Sequence, residues 1–200
     1  MQSIPGIVTG IDGRASLVPP AQISPEASRI DVFVDYMCPF CDRFEYQHGS
    51  EIKDLVDAGD VVLVTHPLAF LDRMSGDSLY SSRAAAAAYA MAAVAPDRFA
   101  AFSQALWTNR PDENTPGLSQ DELVALAEAA GIGPSQTRAM TDLPYLDMVQ
   151  IATALAIDFG VAGTPTILLT TPESGTRQWD PGTTVKEALC RLEEGQKDEC

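Results

Sequence analysis

The sequence predicts an α/β fold: a central mixed sheet flanked by helices, interrupted by an all-helical insertion and preceded by an N-terminal β-hairpin. Three observations carry that reading. "RIDVFVDYMCPFCDRFEYQ" passes from a β-patterned stretch straight into a helical one, and "DVVLVTHPL" soon restores the strand pattern. Residues 67–160 then hold helical patterns, broken at Gly and Pro. Strand signals return after Gly160, and a final helix follows. This order fits a sheet domain at 1–66 and 161–200, with 1–20 as the hairpin extension, carrying an inserted α-helical domain at 67–160.

The elements follow in order. "GIVTGIDGRASLVP" alternates apolar residues on either side of Asp12-Gly13, a dipeptide that favours a type I′ hairpin turn. "PPAQISPEAS" is a Pro- and Ser-rich connector. Ile30, Val32 and Val34 alternate with Asp31, Phe33 and Asp35, and β-branched and aromatic residues dominate, as in a central strand. The spacing predicts a helix over 39–58, with Pro39 in its first turn and Gly59 closing it. "DVVLVTHPL" reads as a buried strand halted at Pro67.

Inside the insertion, "SLYSSRAAAAAYAMAAVA" is Ala-rich and helical, and Pro96 opens the next helix, "PDRFAAFSQALWTN". Ser119 and Glu122 form a capping pair before a helix that stops at Gly131. "LPYLDMVQIATALAIDFG" is a long helix ending at Gly160. "TPTILLT" and "TRQWD" read as paired strands, and "TTVKEALCRLEEG" as the last helix, capped by Thr183 or Thr184.

With 200 residues, 46% hydrophobic and 20% charged, the chain can bury a substantial core and is folded rather than disordered. A formal charge of -15 argues against nucleic acid as a partner, because phosphate backbones need clustered Lys and Arg. No apolar run reaches the about 18 residues of a membrane span. "MQSIPGIVTG" lacks a basic segment followed by an apolar one, so no signal peptide is visible. The expected location is cytoplasmic for a complete chain, and exported or membrane-tethered outside the cytoplasm for one trimmed of a leader or anchor.

Four cysteines are too few for a disulfide scaffold. Two of them, Cys38 and Cys41, stand in a CPFC stretch, as a redox pair, half a metal site or two buried thiols. At i and i+3 on a helix their sulfurs share a face and can reach bonding distance. The unpaired N–H groups and positive dipole end of a helix N-terminus favour a thiolate, most of all at Cys38. In such motifs a thiol pKa falls from about 8.5 to as low as ~3.5. Pro39 starts the helix without losing a needed donor, and Cys41, one turn inside, is the candidate resolving thiol.

Zinc needs four ligands. Because Cys190, Cys200, His48 and His66 stand in no ligand spacing, no metal ligand is assigned. The strand–helix junction favours the redox pair. "VAGTPTILL" is a second signal, because Pro165 at the mouth of an apolar strand removes a ladder donor. Either a cis Thr164–Pro165 bond beside the active site or a trans proline opening an edge strand accounts for it.

"DYMCPFC" between strand and helix, together with "GVAGTPTILL" beyond a helical insertion, resembles the DsbA-like branch of the thioredoxin superfamily. The resemblance covers roughly residues 29–194. It implies a thioredoxin fold, with Cys38 as attacking thiol, Cys41 as resolving thiol and Pro165 as a cis-proline preceded by Thr164. It also implies exchange of the Cys38–Cys41 disulfide with cysteine-containing polypeptides through a mixed disulfide on Cys38. A recycling redox partner would be needed, and no bound cofactor.

Some positions depart from the pattern. The best-known oxidases of the branch carry Pro-His between the cysteines; Pro39-Phe40 stands here, without a positive partner for the thiolate. Thioredoxins place a buried acid six residues before the first cysteine, where this chain has Val32. Asp31 and Asp35 alternate onto the opposite strand face, and Asp35 is expected to bond the turn that enters the helix. Thr164 before the proline resembles the isomerases and Gram-positive oxidases, favouring the oxidase or isomerase direction over the reductase one.

Phe40 is expected to be exposed, where an aromatic can contact unfolded chains. Cys190 is expected as a buried thiol and Cys200 as a frayed one, with a bond between them or to a second chain as alternatives. His48 and His66 are assigned structural or surface positions, and Phe99, Phe102 and Trp107 the core. The expected protein is thus a monomeric thiol–disulfide oxidoreductase. Its rivals are a glutathione-dependent small-molecule isomerase or transferase on the same fold, against which the intact CPFC argues, and a non-catalytic metal-binding module.

Overall fold

The computed structural model describes residues 4–17, 23–133, 136–137 and 145–193. Its strands are β1 (Ile7–Thr9), β2 (Ala15–Ser16), β3 (Arg29–Val34), β4 (Val62–Pro67), β5 (Thr166–Thr171) and β6 (Gly175–Trp179). They form one six-stranded sheet in the order β2-β1-β4-β3-β5-β6. The helices are α1 (Pro39–Ala58), α2 (Tyr80–Val94), α3 (Phe99–Thr108), α4 (Gln120–Ala129), α5 (Leu146–Phe159) and α6 (Val185–Glu193). No helix among the described residues is long and apolar enough to cross a membrane.

β3 is central, parallel to β4 and antiparallel to β5, so its ladder is filled on both edges. Its alternation divides two apolar layers. Val32 and Val34 pack with Cys41, Phe44, Ile52 and Val56 of α1. Phe33, on the other face, packs with Ala152 and Ala156 of α5 and with Leu68 and Val161. The sheet-side cluster continues into the helical block through Ala84, Ala88, Phe102 and Trp107. Burying these side chains stabilises each by about 1.5–3 kcal/mol for the larger ones.

The polar residues of β3 are paired where they are buried. Asp31 accepts from Arg29 Nε at 2.6 Å and meets His66 Nε2 at 3.0 Å. The other His66 nitrogen lies 2.8 Å from the Pro5 carbonyl, and the ring stacks on Phe33 with centroids 4.4 Å apart. A Cβ at Gly6 would lie 2.6 Å from Val64 and 2.8 Å from His66, so only glycine lets the chain pass. His66 is therefore structural, and His48 sits edge-on to Trp179 at 5.0 Å.

Helix ends follow local chemistry. Gly59 (φ 80) and Gly160 (φ 104) close α1 and α5 in the left-handed conformation. Ser119 and Glu122 form a reciprocal capping box on α4. Thr184 accepts from Glu187 N–H at 3.1 Å, and Glu51 of α1 accepts from the first N–H groups of α6, Val185 at 3.0 Å and Lys186 at 2.9 Å.

Two expectations are corrected. The hairpin does not turn on Asp12-Gly13 alone: pairing ends at Thr9 and Ala15, leaving residues 10–14 as the loop. Asp12 Oδ1 accepts from Arg14 N–H at 3.1 Å, making a side-chain turn, and only Gly13 of the dipeptide has positive φ (70). Cys190 is not a free thiol but is disulfide-bonded; Cys200 lies outside the described residues.

Candidate active site

The turn from β3 into α1 is built around Asp35. Its backbone carbonyl accepts from Cys38 N–H at 2.9 Å. Its carboxylate accepts from Met37 N–H (2.9 Å), Leu71 N–H (2.9 Å) and the Ser81 hydroxyl (2.8 Å). Turn, post-β4 loop and α2 are thereby joined at one side chain. Desolvation raises its pKa from 3.8 to about 6 against the pull of those three donors, and the Cys38 charge adds to the rise.

Cys38 is the N-cap of α1, extended at φ -72 and ψ 120, and Pro39 follows in the first turn. Its carbonyl accepts from Asp42 N–H at 3.2 Å, and its thiol donates to the Thr164 carbonyl at 3.2 Å. The Thr164–Pro165 peptide is cis, and β5 begins at the next residue. The fold thus brings Cys38, Cys41, Asp35 and Thr164 together. Phe40 turns to solvent, 61% exposed, with the Arg43 guanidinium 5.6 Å from its ring centroid.

The two thiols are driven apart in acidity. Cys38 falls from 9.0 to about 6, chiefly because Cys41 hydrogen-bonds its sulfur; burial opposes this, while the Thr164 side chain and the N–H groups of Cys41 and Phe40 assist. Burial pushes the Cys41 thiol well above 9.0, and the hydrogen bond and charge of Cys38 push the same way. The surroundings therefore favour a thiolate at Cys38 and a protonated thiol at Cys41. That arrangement can break and remake a disulfide at a fixed end.

Sequence reasoning missed several supporting groups. Arg110, just after α3, donates to the Met37 carbonyl at 3.3 Å and lies 3.6 Å from Asp42. Tyr36 OH and Ser103 Oγ of α3 are 3.1 Å apart. Leu71 and Ser81 hold Asp35. Arg110, Ser103, Leu71 and Ser81 are remote in sequence from the cysteines, and no local motif marks them; Tyr36 stands two residues before Cys38, but its partner Ser103 lies 67 residues away.

The thioredoxin family profile matches residues 23–177. Serine/threonine-protein kinase PknE of Mycobacterium tuberculosis is 32% identical over 144 residues, 68% of this chain. The chain spans only 25% of that relative's length. Reduced DsbA of Mycobacterium tuberculosis superposes with a TM-score of 0.74 at 25% identity, over 95% of this chain and 91% of that one. Reduced DsbG of the same organism gives 0.70 at 27% identity, over 90% and 82%. BdbD of Bacillus subtilis, at 22% identity and a TM-score of 0.71 over 97% and 96%, shares the fold. The profile, the order of elements and the CPFC at the head of α1 agree: the chain belongs to the thioredoxin family, with the architecture of its DsbA-like thiol–disulfide oxidoreductases.

Proposed function

We propose that this chain exchanges disulfides with cysteine-containing polypeptides, with Cys38 attacking and Cys41 resolving. The observation that carries the reading is geometric: Cys38 caps the head of α1 one turn from Cys41, with its sulfur 3.2 Å from the Thr164 carbonyl before the cis Pro165. The lowered pKa of Cys38 and the raised one of Cys41 agree with it. In the oxidising direction, a substrate thiolate attacks Cys38 Sγ; the Cys38–Cys41 bond breaks and Cys41 leaves, taking a proton. A second substrate thiolate then attacks the substrate sulfur of the mixed disulfide. Cys38 departs as the thiolate, and two electrons have passed from substrate to enzyme.

A low-pKa leaving group departs faster, and a stabilised thiolate stabilises the reduced enzyme; both favour the oxidase direction. About 30 mV corresponds to a tenfold change in the exchange constant. A protonated, buried Cys41 resolves slowly, which lengthens the life of the mixed disulfide and suits isomerisation. Pro39 and Phe40 shape the exposed tip, and Thr164 and Pro165 the opposite wall. A separate redox partner must remove the two electrons. The bonded Cys190 fits an oxidising compartment outside the cytoplasm. The enzyme is read as a monomer that needs no bound cofactor.

The test is reoxidation of a reduced, disulfide-dependent protein, alongside reduction of insulin by dithiothreitol. Cys38→Ser should lose at least about 100-fold in both, because Cys41, the other free thiol among the described residues, is buried with its pKa raised. Cys41→Ser should accumulate a mixed disulfide visible on a non-reducing gel. Wild-type rates from Cys38→Ser would overturn the assignment.

A further inference from the structure

Behind the active-site turn, α1 and α3 stand apart over the α1-facing side of the sheet. Between them lies a cavity of about 710 Å³, within the volume range of small-molecule sites. Val34 and Leu63 are part of its floor, and Phe44 and Trp107 part of its walls. Its acids are not equivalent. Asp42 faces Arg110 at 3.6 Å, and Asp57 is paired with Lys53. Glu45 of α1 also lines the cavity and has no hydrogen bond or ion pair among the described residues. Desolvation, with help from Asp42, raises its pKa.

Gly49 gives the second observation. It lies inside α1, where glycine weakens a helix relative to alanine. A Cβ there would come within 2.7 Å of Glu45 Oε1 and 2.9 Å of its carboxyl carbon. The glycine leaves room for the Glu45 carboxyl to lie along the helix at the cavity wall. An unpaired carboxylate, an apolar basin of ligand size and a glycine that clears space for that carboxylate all point to one kind of occupant.

We propose that this cavity binds a small organic cation with an apolar body, its ammonium seated on Glu45 and its hydrocarbon against Phe44, Trp107, Val34 and Leu63. The net charge of -15 favours a cation over an anion at this site. Nothing in the proposal depends on the cysteine chemistry, so it stands or falls apart from the redox assignment.

The experiment titrates the full chain with octylammonium, octanol and octanoate. Binding is followed by calorimetry and by fluorescence in a Trp179→Phe variant, which leaves Trp107 as the reporter. Octylammonium should bind saturably and perturb Trp107. Octanol should bind at least about tenfold more weakly, and octanoate more weakly still, as expected for loss of a charge-assisted hydrogen bond. Glu45→Gln should weaken octylammonium binding by about tenfold or more. Gly49→Ala should weaken it similarly by displacing the carboxylate, while the thermal midpoint holds or rises. Equal affinity for octylammonium and octanoate, absence of saturable binding, or unchanged affinity in both variants would overturn the proposal.

Discussion

Asp35 sits where a negative charge is unfavourable twice over, in a dry turn and beside a thiolate. Removing its charge while keeping its shape should make Cys38 more acidic. In Asp35→Asn, the pH midpoint of Cys38 alkylation by iodoacetamide should drop below that of the wild type. The amide offers one oxygen where Met37 N–H and Leu71 N–H both need an acceptor. The variant should therefore lose about 1–3 kcal/mol in urea unfolding. A midpoint that rises would show that the carboxylate does not oppose the sulfur charge. Cys38 and Asp35 also give opposite pH dependences. With its pKa lowered from 9.0 to about 6, Cys38 stabilises the reduced protein above about 9, and this is lost as pH falls through about 6. With its pKa raised from 3.8 to about 6, Asp35 contributes stability below 3.8 that is lost as pH rises through about 6. Only the reduced form has the Cys38 contribution, so its thermal midpoint should gain on the oxidised form's between pH 6 and 9. The cysteines and Thr164-Pro165 were legible because their spacing is itself chemical. Arg110 and Ser81 were not, because their partners lie 73 and 46 residues away.

At the scale of elements, α6 is held from outside. Glu51 of α1 accepts from both Val185 N–H and Lys186 N–H, placing a carboxylate at the positive end of α6. Glu51→Ala should cost about 1–2 kcal/mol and lower the thermal midpoint by roughly 2–8 °C. A change under about 1 °C in calorimetry would mean that Thr184 caps the helix unaided. The bounds of α1 were readable because Pro39 and Gly59 act on their own turns, and the box of Ser119 and Glu122 was readable for the same reason. The Glu51 clamp spans 134 residues and leaves no local trace. The hairpin failed differently: the Asp12-Gly13 signal was real, but Asp12 spent its side chain on Arg14 N–H and widened the loop.

For the molecule as a whole, the helical block and the sheet share an apolar cluster, with Val32, Val34 and Phe44 on one side and Ala84, Phe102 and Trp107 on the other. Unfolding should therefore be one transition. Single-tryptophan variants, Trp179→Phe reporting from Trp107 in the block and Trp107→Phe reporting from Trp179 in the sheet, should have urea slopes and transition shapes that match circular dichroism on the same variant. A block-only transition in the Trp107 signal would contradict this. The sequence order announced the insertion because strand and helix periodicities differ, but helix periodicity alone could not say which faces of α2 and α3 would meet the sheet. The bonds from Asp35 carry a mechanical consequence. Moving α2 away from the turn between β3 and α1 would unfasten Ser81 from that carboxylate, and the electrical surroundings of the Cys38 sulfur would shift in the same stroke.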